Sequence, residues 1–399
     1  MSYHFTKRVA AIKPSATVAI NTLANELKAA GKQVINLSVG EPDFDTPNFI
    51  KEAAYTAIGE GFTKYTPPEG ILELRQAIVE KLKKDNHLDY TAQQILVSGG
   101  VKQSLYNLIQ TVLEEGDEVI IPAPYWVSYP EMAKLAGAEP VIVFAGMNQH
   151  FKIIAQQLEQ AITPRTRLFI LNSPSNPSGM AYTGNELGDL AAVLLRHPQV
   201  LIASDDMYEY ILWGMPKFIN ILNVAPELKD RTIVMNGVSK AHAMTGWRIG
   251  YAAGPIEIIQ NMKKIQSQST TTTCSISQKA AATAIRADRS QLQYMFDAFC
   301  ARHNFVHGAL KEMPGVECRP ADGTFYSLPK VEQVIKRLGL NSDIELAKLL
   351  LEKGNVAVVP GTEFGVPNYI RISYANSMEN LQAAMRQMAA VFAGESLSG

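Results

Sequence analysis

From about Thr91 onward, short apolar runs alternate with stretches of helical period. The runs are Ile95–Val97, Val119–Ile121, Val141–Phe144, Leu168–Leu171, Val200–Ala203, Thr232–Met235 and Arg248–Ala252, most of them followed by Gly, Pro, Asn, Asp or Ser. Continuous apolar runs of this length predict strands buried on both faces. Their alternation with helices predicts an α/β fold with a mostly parallel sheet. In such sheets ligands gather beyond the carboxyl ends of the strands, so the residues after each run are where chemistry is expected. After about Ile285 the texture changes. A charged helical stretch from Arg286 to Glu312 leads into MPGVECRPADGTFYSLP, a helix near Asp343–Lys353, then NVAVVPG and YIRISYA. This predicts a smaller α+β unit. The first 45 residues precede the alternation and are expected to join it, giving a large domain over 46–290 and a small one from 1–45 with 291–399.

Composition narrows the class. A chain of 399 residues is long enough for about two domains. With 47% hydrophobic and 19% charged residues it is not a disordered chain. Its 37 Lys and Arg balance 38 Asp and Glu, leaving no basic field for nucleic acid or an acidic membrane. No run of about 18 apolar residues occurs, so no membrane span is expected. Lys7, Arg8, Lys13 and Pro14 interrupt the N-terminus where a signal peptide would be apolar. Three cysteines, Cys274, Cys300 and Cys318, are too scattered for a disulfide framework or a zinc site and are expected to be reduced, buried thiols. These features predict a cytoplasmic globular protein.

Four strand ends carry polar groups. Asn172-Ser173-Pro174-Ser175-Asn176 follows one run and alone reads as a Pro-rich turn. Ser204-Asp205-Asp206-Met207-Tyr208 follows another and alone reads as a helix cap or solvated corner. Asn236-Gly237-Val238-Ser239-Lys240 sets a lysine among small and apolar neighbours, where burial disfavours the ammonium and makes a Schiff-base nucleophile. Arg248 lies close behind it. Ser98-Gly99-Gly100-Val101-Lys102 opens a helix, whose exposed N–H groups and dipole attract an anion. Lys102 in that first turn opposes the dipole unless an anionic ligand joins it. No nucleotide P-loop spacing is present. Together these segments supply an anion cradle, an amide, a carboxylate with a phenol, and a lysine followed by an arginine. A pyridoxal phosphate site needs that set.

The chain resembles the fold-type I pyridoxal-phosphate enzymes, and within them the class I aminotransferases. The resemblance is closest to the bacterial aspartate aminotransferases, some of which also accept prephenate. It is carried by KPSATVAI, SVGEPDFDTP, KYTPPEGILELR, PAPYWVSYPEM, NSPSNPSGMAYT, SDDMYEYI, SKAHAMTGWRIGYAAGP, VAVVPGTEFG and YIRISYA, which span nearly the whole chain.

The resemblance implies roles. Lys240 would bond to the aldehyde of pyridoxal 5′-phosphate and then shuttle the substrate proton. Asp205 would pair with the pyridine nitrogen, Asn176 and Tyr208 with the ring oxygen, and Trp126 would stack on the ring. Arg248 and the Gly100 and Val101 amides would hold the phosphate, with Tyr65 reaching the phosphate of a neighbouring subunit, so a homodimer is implied. Arg371 would grip the substrate α-carboxylate, with the Gly40 backbone beside it. Lys102, with Ser15 nearby, would recognise the second carboxylate of aspartate. Gly237 stands where many relatives carry a phosphate-binding serine, and Ser239 or Thr270–Thr273 are the candidates to compensate. The expected activity is transfer of the amino group of L-aspartate to 2-oxoglutarate. The rivals are an aromatic amino acid aminotransferase and a pyridoxal-phosphate β- or γ-lyase on the same fold.

Overall fold

The computed structural model describes residues 3, 5–12 and 16–395. Its strands are β1 (Ile35–Asn36), β2 (Ile95–Ser98), β3 (Glu118–Ala123), β4 (Glu139–Phe144), β5 (Thr166–Asn172) and β6 (Leu201–Asp205). They continue with β7 (Thr232–Gly237), β8 (Gly250–Ala253), β9 (Tyr326–Ser327), β10 (Val356–Ala357), β11 (Val359–Pro360) and β12 (Ile370–Ser373). Seven of them form one sheet in the order β2-β8-β7-β6-β5-β3-β4. Every pairing in it is parallel except those of β8, which runs against both β2 and β7.

That single reversal decides where the site can lie. The carboxyl ends of β2, β5, β6 and β7 face one edge, and the reversed β8 brings its amino end, just after Arg248, to the same edge. The register aligns them: Ser98 and Gly237 both sit opposite Gly250, Asn172 opposite Asp205, and Asp205 opposite Met235.

Alternation along β5 shows why the runs are apolar throughout. Leu168 and Ile170 join the core formed with Leu105, Leu108, Ile259 and Met262, while Phe169 and Leu171 join the opposite core with Leu82, Leu187 and Leu190. Helices Val101–Val112 and Ile256–Ser269 thus cover one face, and Leu72–Asn86 and Gly184–Arg196 the other. Strand β4 departs from the two-sided burial expected of it. It is one of the two edge strands, and its side chains are half-buried or exposed, unlike those of β2 at the other edge.

The smaller unit pairs β1 with β10 in parallel and carries the antiparallel set β11-β12-β9. Before position 46, β1 and the helix Ala16–Ala29 pack with the C-terminal third, whereas the helix Lys7–Ala11 lies against the helix Ser128–Leu135. The helix expected from Arg286 to Glu312 is broken. One helix ends at Arg286, the Asp288 carboxylate accepts the Ser290 N–H to start a short turn, and a second helix runs Gln293–Lys311. An aspartate that bonds its own local backbone competes with helix continuation. The thiols are free, but only Cys300 and Cys318 are half-buried; Cys274 is exposed on the loop preceding the helix Ser275–Arg286. Among the described residues, no helix is long and apolar enough to cross a membrane.

Candidate active site

A cavity of about 330 Å³ opens at the strand carboxyl ends. Asn172 and Asn176 reach it from β5, Asp205 and Tyr208 from β6, and Ser239 and Lys240 from the loop after β7. Val101 and Lys102 come from the helix after β2, Trp126 and Tyr129 from the segment after β3, and Arg248 from the approach to β8. Gly40, Tyr326 and Arg371 close it from the small unit. Among the described residues, four lining cations (Lys102, Lys240, Arg248 and Arg371) stand against one lining carboxylate, Asp205, so the cavity suits a multiply anionic occupant.

The Lys240 amine donates to the Gly40 carbonyl at 2.5 Å. Burial pushes its pKa down to about 8, with Arg248 and Arg371 pushing the same way and Glu41 and Asp205 opposing. An amine in that range carries a useful neutral fraction at physiological pH. Asp205 shows the opposite shift. Burial raises it to about 6, moderated by the Tyr129 phenol, which donates to Oδ2 at 2.6 Å, and by the Met207 N–H on Oδ1. Tyr129 is itself buried and packs edge-on against Trp126 at 5.4 Å between ring centroids.

At the anion end, Arg248 does not begin the strand as its sequence position suggests. It adopts φ 57 after the short turn Thr245–Trp247, and the ladder starts two residues later at Gly250. The left-handed conformation cannot continue a strand. It turns the guanidinium back, so that Nη1 donates to the Thr245 carbonyl at 2.9 Å and Nη2 to the Gly99 carbonyl at 3.0 Å. Gly100 is required here: φ is +90, and a Cβ would run into the Arg248 guanidinium. Its N–H, expected in the anion cradle, is already bonded to the Ser98 carbonyl at 2.7 Å. Gly100 thus shapes the turn, and Val101, not Gly100, lines the cavity.

Gly237 faces away from the cavity, and a side chain there would meet the Ile249 carbonyl at 2.8 Å and the Gly250 Cα at 2.9 Å. Ser239 and Thr245 do line the cavity, whereas Thr270, Thr272 and Thr273 lie in a neighbouring groove.

At the opposite end Arg371 is buried. Its Nη1 donates to Asn176 Oδ1 at 3.1 Å and Nη2 to the Ser38 carbonyl at 2.6 Å, while Nε has no partner among the described residues. Its guanidinium lies 4.6 Å from the Tyr326 ring centroid and 4.9 Å from that of Phe364. Such a fork, held flat by two rings, is built for a carboxylate. The Tyr208 and Tyr326 hydroxyls are 3.0 Å apart. A Cβ on Gly40 would sit 2.5 Å from the Tyr326 hydroxyl, which explains glycine there. The Lys102 ammonium rests 5.0 Å from the Trp126 ring centroid at the rim.

One expected residue is not brought together with these, and another is not described. Tyr65 is 91% exposed and does not line its own chain's cavity. Ser15 lies outside the described residues. Sequence reading missed Tyr129, Tyr326 and Thr245. Tyr129 stands three residues after Trp126 at a helix start, and Tyr326 in the GTFYSLP segment carried the signal of a buried strand, but neither spacing identifies a partner across the fold.

The aldehyde, ring nitrogen, ring oxygen and phosphate of pyridoxal 5′-phosphate each find chemically suitable partners here, and Gly100 leaves the room that Arg248 needs. The residues present fit that cofactor.

The family model for aminotransferase class I and II matches residues 32–388. The aspartate/prephenate aminotransferase of Nitrosomonas europaea is 52% identical over 392 residues, covering 97% of this chain and 99% of that protein. The aspartate aminotransferase of Geobacillus stearothermophilus is 48% identical over 382 residues, covering 96% and 97%. Among solved structures, the aspartate aminotransferase of Thermus thermophilus with maleate superposes with a TM-score of 0.92 at 40% identity, covering 98% of this chain and all of that one. The aspartate aminotransferase of Rhizobium meliloti gives 0.94 at 42% identity, covering 98% and 99%.

Proposed function

This chain belongs to the class I and II aminotransferases, and from that premise we propose that it moves the amino group of L-aspartate to 2-oxoglutarate in two half-reactions on pyridoxal 5′-phosphate. The observation that carries the reading is one cavity holding a lysine amine with its pKa lowered to about 8, a buried carboxylate and a buried arginine fork. When bound, the cofactor supplies an aldehyde that condenses with amines and a ring that accepts the electron pair left at Cα.

The residues do the rest. Lys240 Nζ is the group that would hold the cofactor aldehyde, and its free amine would be the base that carries the proton away from the substrate Cα. Asp205, with Tyr129 donating to Oδ2, keeps a negative charge against the ring nitrogen so that it stays protonated. Asn176 and Tyr208 serve the ring oxygen, and Trp126 the ring face. Arg248, the Val101 N–H and Ser239 would hold the phosphate, the Thr245 hydroxyl being already given to Glu41. Arg371 orients the α-carboxylate, and Lys102 takes the distal one. The Thermus thermophilus aspartate aminotransferase was solved with maleate, a dicarboxylate, which supports that last assignment. Residues 46–290 form the cofactor-holding unit in this reading, and Gly40 and Arg371 come from the other. Tyr65 completes the phosphate site of a second copy, which makes the working enzyme a homodimer.

Two measurements test the reading. A panel of amino donors and oxo-acid acceptors should show aspartate with 2-oxoglutarate among the fastest pairs. Borohydride reduction followed by peptide mass spectrometry should place the reduced cofactor on Lys240. Pyruvate and ammonia as products, or an adduct on another residue, would overturn it.

A further inference from the structure

The segment from Asn36 to Thr46 crosses the mouth of the cavity as a strap. On one side it is anchored to the small unit: Asp43 forms a two-pronged ion pair with Arg302 at 2.7 and 2.9 Å, and the Ser373 N–H donates to the Leu37 carbonyl at 2.8 Å. On the other side it is fastened to the loop that carries Lys240 and Arg248. Lys240 donates to the Gly40 carbonyl, Thr245 Oγ1 donates to Glu41 Oε2 at 2.8 Å, and Thr46 Oγ1 donates to the Ala243 carbonyl at 2.6 Å. The Trp247 indole then donates to Thr46 Oγ1 at 2.9 Å.

Thr245 has two attachments. Its hydroxyl holds the Glu41 carboxylate, and its carbonyl takes Arg248 Nη1. Glu41 is exposed, and without that hydrogen bond its carboxylate would be free to swing into solvent. Four charged groups act on the Lys240 ammonium: Arg248 from its own loop, Arg371 from β12, Asp205 from β6, and Glu41 from the strap. The phenols of Tyr129, Tyr208 and Tyr326 line the same cavity. Two cations thus oppose two carboxylates. Asp205 is committed to the Tyr129 phenol and, under the proposed function, to the cofactor ring, which leaves Glu41 as the strap's own counter-charge.

We propose that Glu41, fixed by the Thr245 hydroxyl, is a positioning residue that keeps a negative charge facing Lys240 and latches the Gly40 strap over that amine. Glu41 is not among the residues lining the cavity; it acts through Lys240. The inference rests on Lys240 being the amine that bonds the cofactor.

The sign follows from Coulomb's law. A negative charge favours the protonated nitrogen, so its loss lowers the pH at which that nitrogen gives up its proton. The test is a spectrophotometric pH titration of the pyridoxal-phosphate holoenzyme, followed at the visible band and made at equal cofactor content. Glu41→Gln keeps the acceptor for Thr245 but removes the charge; Thr245→Val keeps the charge but frees it. Both should move the titration midpoint down by roughly half a pH unit, the size of a partly screened charge, with the shift shrinking in high salt. Thr245→Ser should restore the original midpoint. Midpoints equal to that of the unaltered enzyme, or moved upward, would overturn the proposal. A shift for Glu41→Gln alone would overturn the latch. Borohydride mapping of the unaltered enzyme separates the two readings: an adduct on Lys240 with unmoved midpoints defeats only the role of Glu41, whereas an adduct elsewhere defeats the assignment of Lys240.

Discussion

Buried Asp205 and half-buried Lys240 are pushed in opposite senses, the carboxylate up to about 6 and the amine down to about 8. Opposed shifts of this kind separate an acid–base role from an electrostatic one within a single cavity. Removing the phenol in Tyr129→Phe should raise Asp205 further, because its carboxylate loses a side-chain donor. A charge-assisted bond of about 1.5–3 kcal/mol predicts at least a tenfold weaker cofactor Kd, measured by titrating apoenzyme at pH 7.5 and expected to worsen as the pH falls. Arg371→Lys should raise KM for every amino acid substrate by tenfold or more, since a lysine cannot reproduce the flat fork between Asn176 and the Ser38 carbonyl. Lys102→Ala should instead lower the ratio of aspartate to phenylalanine turnover; equal losses on both substrates would contradict its role at the distal carboxylate.

At the scale of elements, the close approach of β7, β8 and the helix after β2 sets what the anion end can be made of. Gly250 is so near the Val101 N–H that a Cβ there would collide with it, and Gly237 lies against the Gly250 backbone. Introducing a serine there, as Gly237→Ser, should therefore not tighten cofactor binding. Overpacking against backbone is expected to cost about 1–3 kcal/mol, read as a lower Tm with the cofactor Kd no better than before. The same packing explains why Arg248 reaches the cavity from a left-handed turn: the strand that follows must pass within contact distance of Gly100 and Val101. Ser239, one residue before Lys240, lines the cavity where a side chain at position 237 cannot reach.

At the scale of the whole molecule, two properties are open to measurement. The homodimer can be tested by complementation. Lys240→Ala and Tyr65→Ala chains, mixed and allowed to exchange, should give hybrids in which one site regains the full cofactor affinity of the unaltered enzyme. If Tyr65 serves its own chain, no such site forms. Stability against acid should depend on His242, a neighbour of the Lys81–Glu209 ion pair buried behind the sheet. Burial, followed by the charge of Lys81, pushes its pKa down to about 4, below that of an unfolded histidine. Its contribution is therefore complete above pH 6.5 and is lost as the pH falls toward 4, amounting to roughly 3 kcal/mol. In denaturant titrations of the apoenzyme, His242→Gln should flatten that part of the pH–stability curve.

Much of this was legible in the chain. Wholly apolar runs followed by polar clusters determine buried strands with functional ends, because only a two-sided sheet can bury such runs. The types of residue at those ends (Lys240, Asp205, Asn176, Tyr208, Arg248) were visible because their chemistry is unusual after a buried strand, whereas Arg371, inside β12, was named only by the family resemblance. What the sequence could not show were the relations made across the fold: Tyr129 on Asp205, Tyr326 on Tyr208, and Thr245 joining Glu41 to Arg248. Nor could it show that the Gly100 N–H is spent on the Ser98 carbonyl, or that position 237 has no room for a side chain. Local pattern reports which face of an element is apolar. The direction of a hydrogen bond between residues 76 or 204 positions apart depends on how the elements pack, and that was decided only when β8 reversed and the strap closed over the strand ends.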